Sequence, residues 1–181
     1  MEVRDTPFNG LKVVQPKVWG DARGYFFESY SHAAFEAAGL PTDFVQDNQS
    51  LSAAGILRGL HYQKPPYAQG KLVRVIKGSV LDVVVDLRRT EPTYGQHFAI
   101  ELNEENKTML WVPPGFAHGF LTKANDTIFV YKVTGLYNKE SEGGLLWNDP
   151  ALGIDWGIKN PLLSDKDRVQ PLLSELPVIF S

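Results

Sequence analysis

Apolar and polar positions alternate along much of the chain, and a period of two predicts β-strands. The clearest case is residues 71–89, KLVRVIKGSVLDVVVDLRR, where two strands are predicted on either side of Gly78-Ser79, the pattern of a β-hairpin. In the second of these strands one face carries only branched apolar side chains, those of Leu81, Val83, Val85 and Leu87. This segment is therefore expected to form part of the core.

Further strands are predicted from the same alternation at residues 11–19, 44–52, 58–63, 95–102 and 127–138. The first of them contains a proline, which favours an edge position. Only residues 31–39, SHAAFEAAG, predict a helix, with Ser31 as its N-cap and Gly39 at its end. The chain is therefore expected to be an all-β protein with short helices.

Composition limits the classes of function. The 181 residues suit one domain, 1–181, and the formal charge of −3 gives no nucleic-acid footprint. The chain contains no cysteine, which excludes disulfides and thiolate chemistry. There is no apolar signal region and no run long enough to span a bilayer, so we expect a cytoplasmic protein without membrane contact.

Residues 55–78 resemble the first half of a cupin metal motif in which the metal-binding groups are altered. Five residues separate Gly55 from His61, as in the metal form, but Gln63 stands where a second histidine is expected. Lys71, which six residues separate from Gly78, replaces the glutamate. An ammonium has three donors and no lone pair, so it repels a divalent ion and attracts an anion. The stretch predicts a barrel mouth for metal-free chemistry on a substrate that becomes negative.

The second half of the motif is present as Pro113, Gly115 and His118. The metal form also uses a histidine at the last of these positions, so His118 leaves a metal open. A metal-dependent cupin dioxygenase is therefore one alternative, against which Gln63 and Lys71 argue.

The alternation also suggests which side chains share a face of a strand. Lys71 shares a face with apolar residues, and Tyr131 shares a face with Val133. In residues 58–63 the period of two places Arg58 with Tyr62, and His61 with Gln63 on the opposite face, although a break at Gly59 could turn Arg58 inward. The polar run within 44–52 is either an exposed edge or the lining of a polar cavity.

Six segments together resemble the dTDP-4-dehydrorhamnose 3,5-epimerase family. The resemblance runs from about residue 4 to residue 175, in the right order, through RGYFFES (23–29), QDNQS (46–50), RGLHYQ (58–63), PPGFAHGF (113–120), YKVTGLYNKESEGGLLWNDP (131–150) and LSDKD (163–167). It implies a double-stranded β-helix, or jelly roll, and a homodimer with exchanged N-terminal strands. It also implies inversion of carbons 3 and 5 of dTDP-4-dehydro-6-deoxy-glucose, without a metal or an organic cofactor.

The resemblance also implies roles for individual residues. His61 is similar to the general base, Asp167 to its paired carboxylate, Tyr131 to the proton donor on the other face of the sugar, and Lys71 to the cation beside the keto oxygen. Arg23 and Arg58 are similar to grips on the diphosphate and sugar, and Tyr137 to the aromatic that stacks on thymine. The remaining substrate contacts that it implies are Glu28, Gln46, Asp47, Asn48, His118, Glu142 and Lys166.

These residue types suit epimerisation next to a ketone, which needs a base, a group that stabilises the enolate and an acid on the opposite face. Histidine, with an unperturbed pKa of about 6.5, suits the base, and a lysine in a barrel suits the oxyanion. Three alternatives stay open: a 3-only or 5-only epimerase, a 3,4-ketoisomerase on the same nucleotide sugar, and a non-catalytic cupin that binds nucleotide sugars.

Overall fold

The computed structural model describes residues 1–181 and is built almost entirely from antiparallel strands. The strands are β1 (Glu2–Asp5), β2 (Lys12–Gln15), β3 (Trp19–Asp21), β4 (Gly24–Phe26), β5 (Gln46–Ser52), β6 (Leu57–Gln63), β7 (Lys71–Lys77), β8 (Ser79–Asp86), β9 (His97–Asn103), β10 (Met109–Val112), β11 (Phe116–Thr122), β12 (Thr127–Val133) and β13 (Glu142–Gly144). The helices are α1 (His32–Ala37) and four short 3₁₀ helices at Lys139–Ser141, Pro150–Leu152, Asp167–Val169 and Leu173–Glu175.

Two sheets face each other across the main core. One has six strands in the order β1-β2-β10-β7-β12-β5, and the other has five in the order β13-β6-β11-β8-β9. The largest cluster of buried side chains contains residues from both, including Val73 and Phe129 from the first and Val84 and Phe120 from the second. This arrangement is a jelly-roll sandwich, so the predicted all-β, cupin-like fold class is confirmed.

The outer face of each sheet is covered by other parts of the chain. Leu145, Trp156 and Phe180, from the C-terminal part, pack on the outer face of the five-stranded sheet. Phe35 of α1 packs against Leu72 and neighbours on the outer face of the six-stranded sheet. Burial of large apolar side chains stabilises by about 1.5–3 kcal/mol each, so these covers fix both sheets.

The predicted helix is confirmed. The side-chain oxygen of Ser31 accepts from the amide of Ala34 at 3.5 Å, and Gly39 follows the helix with a φ of 67°. A positive φ suits glycine because it lacks a Cβ. The helix therefore begins and ends where its capping residues predicted.

The predicted hairpin at Gly78-Ser79 is wrong, although both of its strands exist. β7 pairs with β10 and β12, whereas β8 pairs with β11 and β9, so the chain passes from one sheet to the other at Gly78. Gly78 has a φ of 80°, and a Cβ there would lie 2.4 Å from the Thr127 hydroxyl oxygen. Glycine is required here by its positive φ and by the close approach of the chain to Thr127 at the start of β12, and not by a hairpin turn.

The edge position predicted for residues 11–19 is also wrong. β2 lies between β1 and β10, and the edge on this side of the sheet is β1, whose residues carried no prediction. Pro16 ends β2 and is followed by the separate two-stranded hairpin of β3 and β4. The proline therefore marks the end of a strand.

Candidate active site

A cavity of about 640 Å³ lies between the two sheets. Its walls combine an apolar part, formed by Phe120, Phe129 and Leu162, with a dense set of polar side chains. Eight of the predicted site residues line it, namely Asn48, Arg58, His61, Lys71, His118, Tyr131, Lys166 and Asp167. Residues from distant parts of the chain thus meet in one pocket, the usual form of a small-molecule site.

His61 and Asp167 form a hydrogen-bonded pair at this cavity. The Nε2 atom of His61 lies 2.6 Å from Oδ1 of Asp167, and the histidine side chain is 31% exposed while the carboxylate is 4% exposed. Burial would raise the pKa of Asp167, but its hydrogen bonds, above all that with His61, hold this pKa below its usual value. An ionised carboxylate that accepts Nε2–H leaves Nδ1 free to take a proton.

The position of His61 depends on an irregularity in β6. His118 pairs with His61, and Phe120 pairs with Arg58, so the register with β11 shifts between them. A Cβ on Gly59, whose φ is 130°, would lie 2.5 Å from the Cα of Gly119. The two strands therefore touch through their backbones at a pair of glycines.

This bulge corrects one prediction of the period of two. Arg58 does not share a face with Tyr62, because Arg58 and His61 both line the cavity while Tyr62 packs in the outer core. Bulges add one residue and change which side chains face inward. The inward turn of Arg58 at Gly59 was the open alternative, and it is the one observed. Arg58 also donates to the hydroxyl of Ser52 at 3.1 Å.

Lys71 enters the cavity from the opposite sheet, at the start of β7. Burial lowers the pKa of its ammonium to about 8, against the opposing fields of Asp82 and Glu142. Neither carboxylate is its direct partner, because Asp82 pairs with His118, and Glu142 pairs with Lys166. The donors of the Lys71 ammonium are therefore available to an oxygen of a ligand.

Tyr131 lies on the same sheet as Lys71, in β12. It faces inward beside Phe129, and the two ring centroids are 6.2 Å apart. Burial raises the pKa of its hydroxyl, with a smaller opposing effect from Arg58. The hydroxyl thus stays protonated near neutral pH and can donate a proton into the cavity.

His118 belongs to a second histidine–carboxylate pair. Its Nε2 atom lies 3.0 and 2.9 Å from the two carboxylate oxygens of Asp82, with side chains that are 7% and 0% exposed. Asp82 was not predicted as a site residue. It is the central position of the inward face of β8, between Val80 and Val84.

Glu142 and Lys166 form a salt bridge at the rim of the cavity, and the Tyr137 hydroxyl donates to Glu142 at 3.2 Å. Only Lys166 of these three lines the cavity, and Tyr137 is 58% exposed. The three predicted contacts are therefore neighbours of one another at the rim of the cavity.

The other four predicted site residues lie neither in the cavity of this chain nor at its rim. Arg23 is 90% exposed on the β3–β4 hairpin, where it pairs with Asp21, and Glu28 follows that hairpin. Asp47 pairs with Lys132 on the outer face of the six-stranded sheet, and the Gln46 amide donates to Asn48. Within one chain, these four residues do not meet the His61–Asp167 pair.

Gln63 does not face the cavity, although its motif position suggested a metal ligand. Its amide donates to the carbonyl oxygens of Tyr67 and Leu136 at 2.7 and 3.1 Å and accepts from the amide of Asn138 at 2.6 Å. The side chain therefore fastens the loop after β12 to β6.

The donor set does not fit a metal. The motif position that would supply the third ligand carries the Lys71 ammonium, which lines the cavity and has no lone pair for an ion. No three His, Cys, Asp or Glu side chains are grouped so that they could hold an ion. In addition, no helix is long and apolar enough to cross a membrane.

Sequence reasoning also missed several uncharged groups of the cavity, Gln49, Ser50 and Ser164, and the stacked pair Phe120 and Phe129, whose centroids are 4.0 Å apart. Gln49 and Ser50 belong to the polar run that was weighed as an edge or a cavity lining, and β5 is both. For Phe120 and Phe129 the only signal was an apolar strand position, which does not distinguish core from cavity.

Comparison with known proteins adds an independent result. The family model described as dTDP-4-dehydrorhamnose 3,5-epimerase matches residues 5–175. The dTDP-4-dehydrorhamnose 3,5-epimerase of Pseudomonas aeruginosa is 55% identical over 85% of this chain and 86% of its own length.

Solved structures give the same picture. The enzyme of that name from Bacillus anthracis, with TDP and PPi bound, has a TM-score of 0.92 and 48% identity over 94% of this chain and 98% of its own. The Legionella pneumophila dTDP-6-deoxy-D-glucose-3,5-epimerase, in complex with dTDP-4-keto-L-rhamnose, has a TM-score of 0.92 and 44% identity over 97% and 94%. The chain therefore belongs to the dTDP-4-dehydrorhamnose 3,5-epimerase family.

Proposed function

We propose that this chain, as one cupin-like domain over residues 1–181, inverts carbons 3 and 5 of dTDP-4-dehydro-6-deoxy-D-glucose to give dTDP-4-dehydro-L-rhamnose. The observation that carries the proposal is the position of the proton-transfer groups. His61 reaches the cavity from the five-stranded sheet, whereas Lys71 and Tyr131 reach it from the six-stranded sheet. A sugar held between the sheets has a base on one side and an acid on the other.

His61 is the general base. With Asp167 accepting Nε2–H, Nδ1 takes the proton from the carbon next to the ketone, and the carboxylate stabilises the imidazolium that forms. A positioned base contributes roughly 10²–10⁴-fold to the rate. The partial exposure of His61 lets the proton leave to solvent between the two inversions.

Lys71 stabilises the enolate. The electron pair released from the C–H bond moves to the keto oxygen, which becomes negative and accepts a hydrogen bond from the ammonium. The apolar wall of the cavity strengthens this interaction, and one such donor is typically worth about 2.7–4 kcal/mol. Nothing is oxidised or reduced, so the reaction needs no oxidant or reductant.

Tyr131 completes each inversion. It donates its proton to the opposite face of the same carbon, and recovers one from solvent. Without this donor the carbanion would take back a proton from the side of His61, and the configuration would not change.

The diphosphate requires cationic groups, and guanidinium groups bind phosphate through two hydrogen bonds. Arg58 lines the cavity, and Lys166 lies at its rim beside Glu142. We expect Tyr137, whose hydroxyl donates to Glu142, to stack on the thymine. His118 and Asn48 face the same space. The prediction that Gln46, Asp47 and Asn48 contact the nucleotide or sugar is supported only for Asn48 within one chain.

Arg23 and Glu28 are assigned to a homodimer. Their hairpin extends from the chain with Tyr25 and Phe26 60% and 65% exposed, an apolar surface that is costly in water. We infer that this hairpin packs on a second copy and brings Arg23 to the diphosphate of the partner's site. Dimerisation, cytoplasmic localisation and these contacts stay predictions.

The deciding experiment is incubation with dTDP-4-dehydro-6-deoxy-D-glucose in deuterated water. The proposal expects deuterium at carbons 3 and 5 and accumulation of the L-rhamno product. Exchange at one carbon only would support a single-site epimerase, and a 4-hydroxy-3-keto product a ketoisomerase. Binding without exchange at either carbon would contradict the proposal and support a non-catalytic binding protein.

A further inference from the structure

Asp82 is a buried carboxylate that the mechanism above does not use. Its side chain is fully buried, and its neighbours on the inward face of β8 are Val80 and Val84, which are fully buried as well. Burying a carboxylate costs several kcal/mol unless charges or hydrogen bonds compensate. Its one side-chain hydrogen-bond partner is Nε2 of His118, and that bond reaches both oxygens.

The carboxylate lies where its charge acts on the catalytic ammonium. Val80 and Val84, which flank Asp82, pack in the same core cluster as Val73 and Val75, which follow Lys71 on the facing strand. His118, which holds the carboxylate, lines the cavity together with Lys71. The negative charge of Asp82 opposes the effect of burial on the Lys71 ammonium.

We propose that Asp82 is a positioning residue of the active site that acts through Lys71, with His118 holding its carboxylate in place. The proposal rests on the proposed function, because it gives Lys71 the task of stabilising the enolate. In this arrangement Lys71 is attracted towards the floor of the cavity without a direct ion pair. Its N–H groups therefore stay free for the keto oxygen.

The charged and titratable groups around Lys71 come from five other elements. Besides Asp82 on β8, they are His118 on β11, Arg58 and His61 on β6, Tyr131 on β12, Glu142 on β13, and Lys166 with Asp167 at the 3₁₀ helix. Asp167 is paired with His61, and Glu142 is paired with Lys166. Asp82 is thus the carboxylate at the buried end of the site that balances the ammonium.

The test is Asp82→Asn, which keeps the shape of the side chain and removes its charge. We expect kcat to fall by roughly 10- to 100-fold, as for a misplaced catalytic group, with KM changed less than threefold. We also expect the alkaline limb of the kcat/KM profile to move to lower pH, because the ammonium loses the charge that favours it. A merely structural carboxylate would leave that limb in place.

Asp86→Asn is the matched control. Asp86 is also fully buried, lies four positions further along β8 and is held by Arg88 and Thr93 outside the cavity. We expect it to lose stability while keeping the pH profile of the parent. If both variants leave the profile unchanged, the proposal is wrong, whereas a parent that exchanges no deuterium would instead overturn the proposed function.

A double variant keeps the proposal testable if Asp82→Asn does not fold. Asp82→Asn combined with Lys71→Met removes both buried charges together, so neither is left unpaired. If Asp82 acts through Lys71, the double variant has the same kcat as Lys71→Met within about twofold, since coupled residues are not additive. A further loss of tenfold or more in the double variant would overturn the proposal.

Discussion

The cavity contains two histidine–carboxylate pairs that differ in nearly everything except composition. His61 and His118 are direct partners across β6 and β11. The first pair is open, with a single 2.6 Å contact and a carboxylate supplied by the 3₁₀ helix beyond the sheet. The second is sealed, with a two-oxygen contact and a carboxylate supplied by the adjoining strand.

The difference shows how placement selects the role of the same two side chains. An imidazole that reaches both solvent and substrate can accept a proton from the substrate and release it to solvent, so the open pair suits a general base. An imidazole held between an apolar wall and both oxygens of a buried carboxylate is fixed in position, so the sealed pair suits a structural support for that carboxylate. Both pairs act on the same intermediate in the proposed mechanism. The open pair removes the proton and so forms the enolate, and the sealed pair supports the Lys71 ammonium that stabilises this enolate.

His61→Ala removes the open pair and has the largest expected effect. We expect the rate of deuterium exchange at both carbons to fall by about 10²–10⁴-fold, the usual contribution of a positioned base. His32→Ala, at an exposed position of α1, is the control and should exchange like the parent. Full activity of His61→Ala would assign the base elsewhere.

Lys71→Met tests the group on which both pairs converge. Methionine keeps the length of the side chain and removes the charge, so kcat should fall by about 10²–10³-fold, with exchange slowed equally. Lys132→Met is the control, because Lys132 lies on the neighbouring strand but pairs with Asp47 on the outer face. Exchange at the parental rate in Lys71→Met would show that the enolate is stabilised without this ammonium.

Tyr131→Phe separates proton removal from inversion. We expect product formation to fall by about 10²-fold while substrate still acquires deuterium, because His61 can return a solvent-derived proton to its own face. NMR of recovered substrate and product measures the ratio. Tyr62→Phe, at a buried tyrosine outside the cavity, should leave that ratio unchanged. An equal loss of exchange and product in Tyr131→Phe would contradict the assignment of the acid.

The pH profile probes Lys71 in the intact protein. Its pKa is lowered to about 8, so the ammonium is present below that pH and is lost as the pH rises through it. We therefore expect kcat/KM to fall about tenfold per pH unit above pH 8, in a limb that is absent from Lys71→Met. A profile that is flat to pH 10 would contradict a catalytic ammonium.

Asp167→Asn has the smallest of the expected effects, a change in the free energy of unfolding. Because the folded pKa of Asp167 is lowered, its contribution to stability is present above the unfolded value of 3.8 and is lost as the pH falls further. Near neutral pH the variant should be about 1.5–3 kcal/mol less stable, as for a hydrogen bond to a charged group. Urea denaturation should show the gap closing below pH 3.8, and a gap independent of pH would contradict the stabilising role of the ionised pair.

Much of this molecule follows from local pattern, because strand faces and caps are local properties. The apolar face from Leu81 to Leu87 and the capped helix at Ser31 were predicted correctly. The partners of each strand were not, since Gly78-Ser79 has the composition of a hairpin turn and gives no sign that the chain changes sheets there.

The residues of the sealed pair show why the site was predicted only in part. Asp82 occupies a mid-strand position between valines, where alternation alone predicts a solvated face, and its burial depends on the sheet opposite. The sequence around Asp167 is typical of a surface cap, and only the resemblance to a known family implied that Asp167 pairs with His61. Within one chain Arg23 pairs only with Asp21, far from the cavity, and its proposed role in binding the substrate requires a second copy.

The amide of Gln63 limits how this barrel can be redesigned. Replacing Gln63 with histidine and Lys71 with glutamate would restore the sequence of the metal-binding motif. It would also release the loop at Leu136 and Asn138, which the Gln63 amide fastens to β6. That loop carries Tyr137 to the rim of the pocket. Engineering an ion into this scaffold thus requires a new anchor for the loop first, because the side chain at the motif's second histidine position now holds that loop in place.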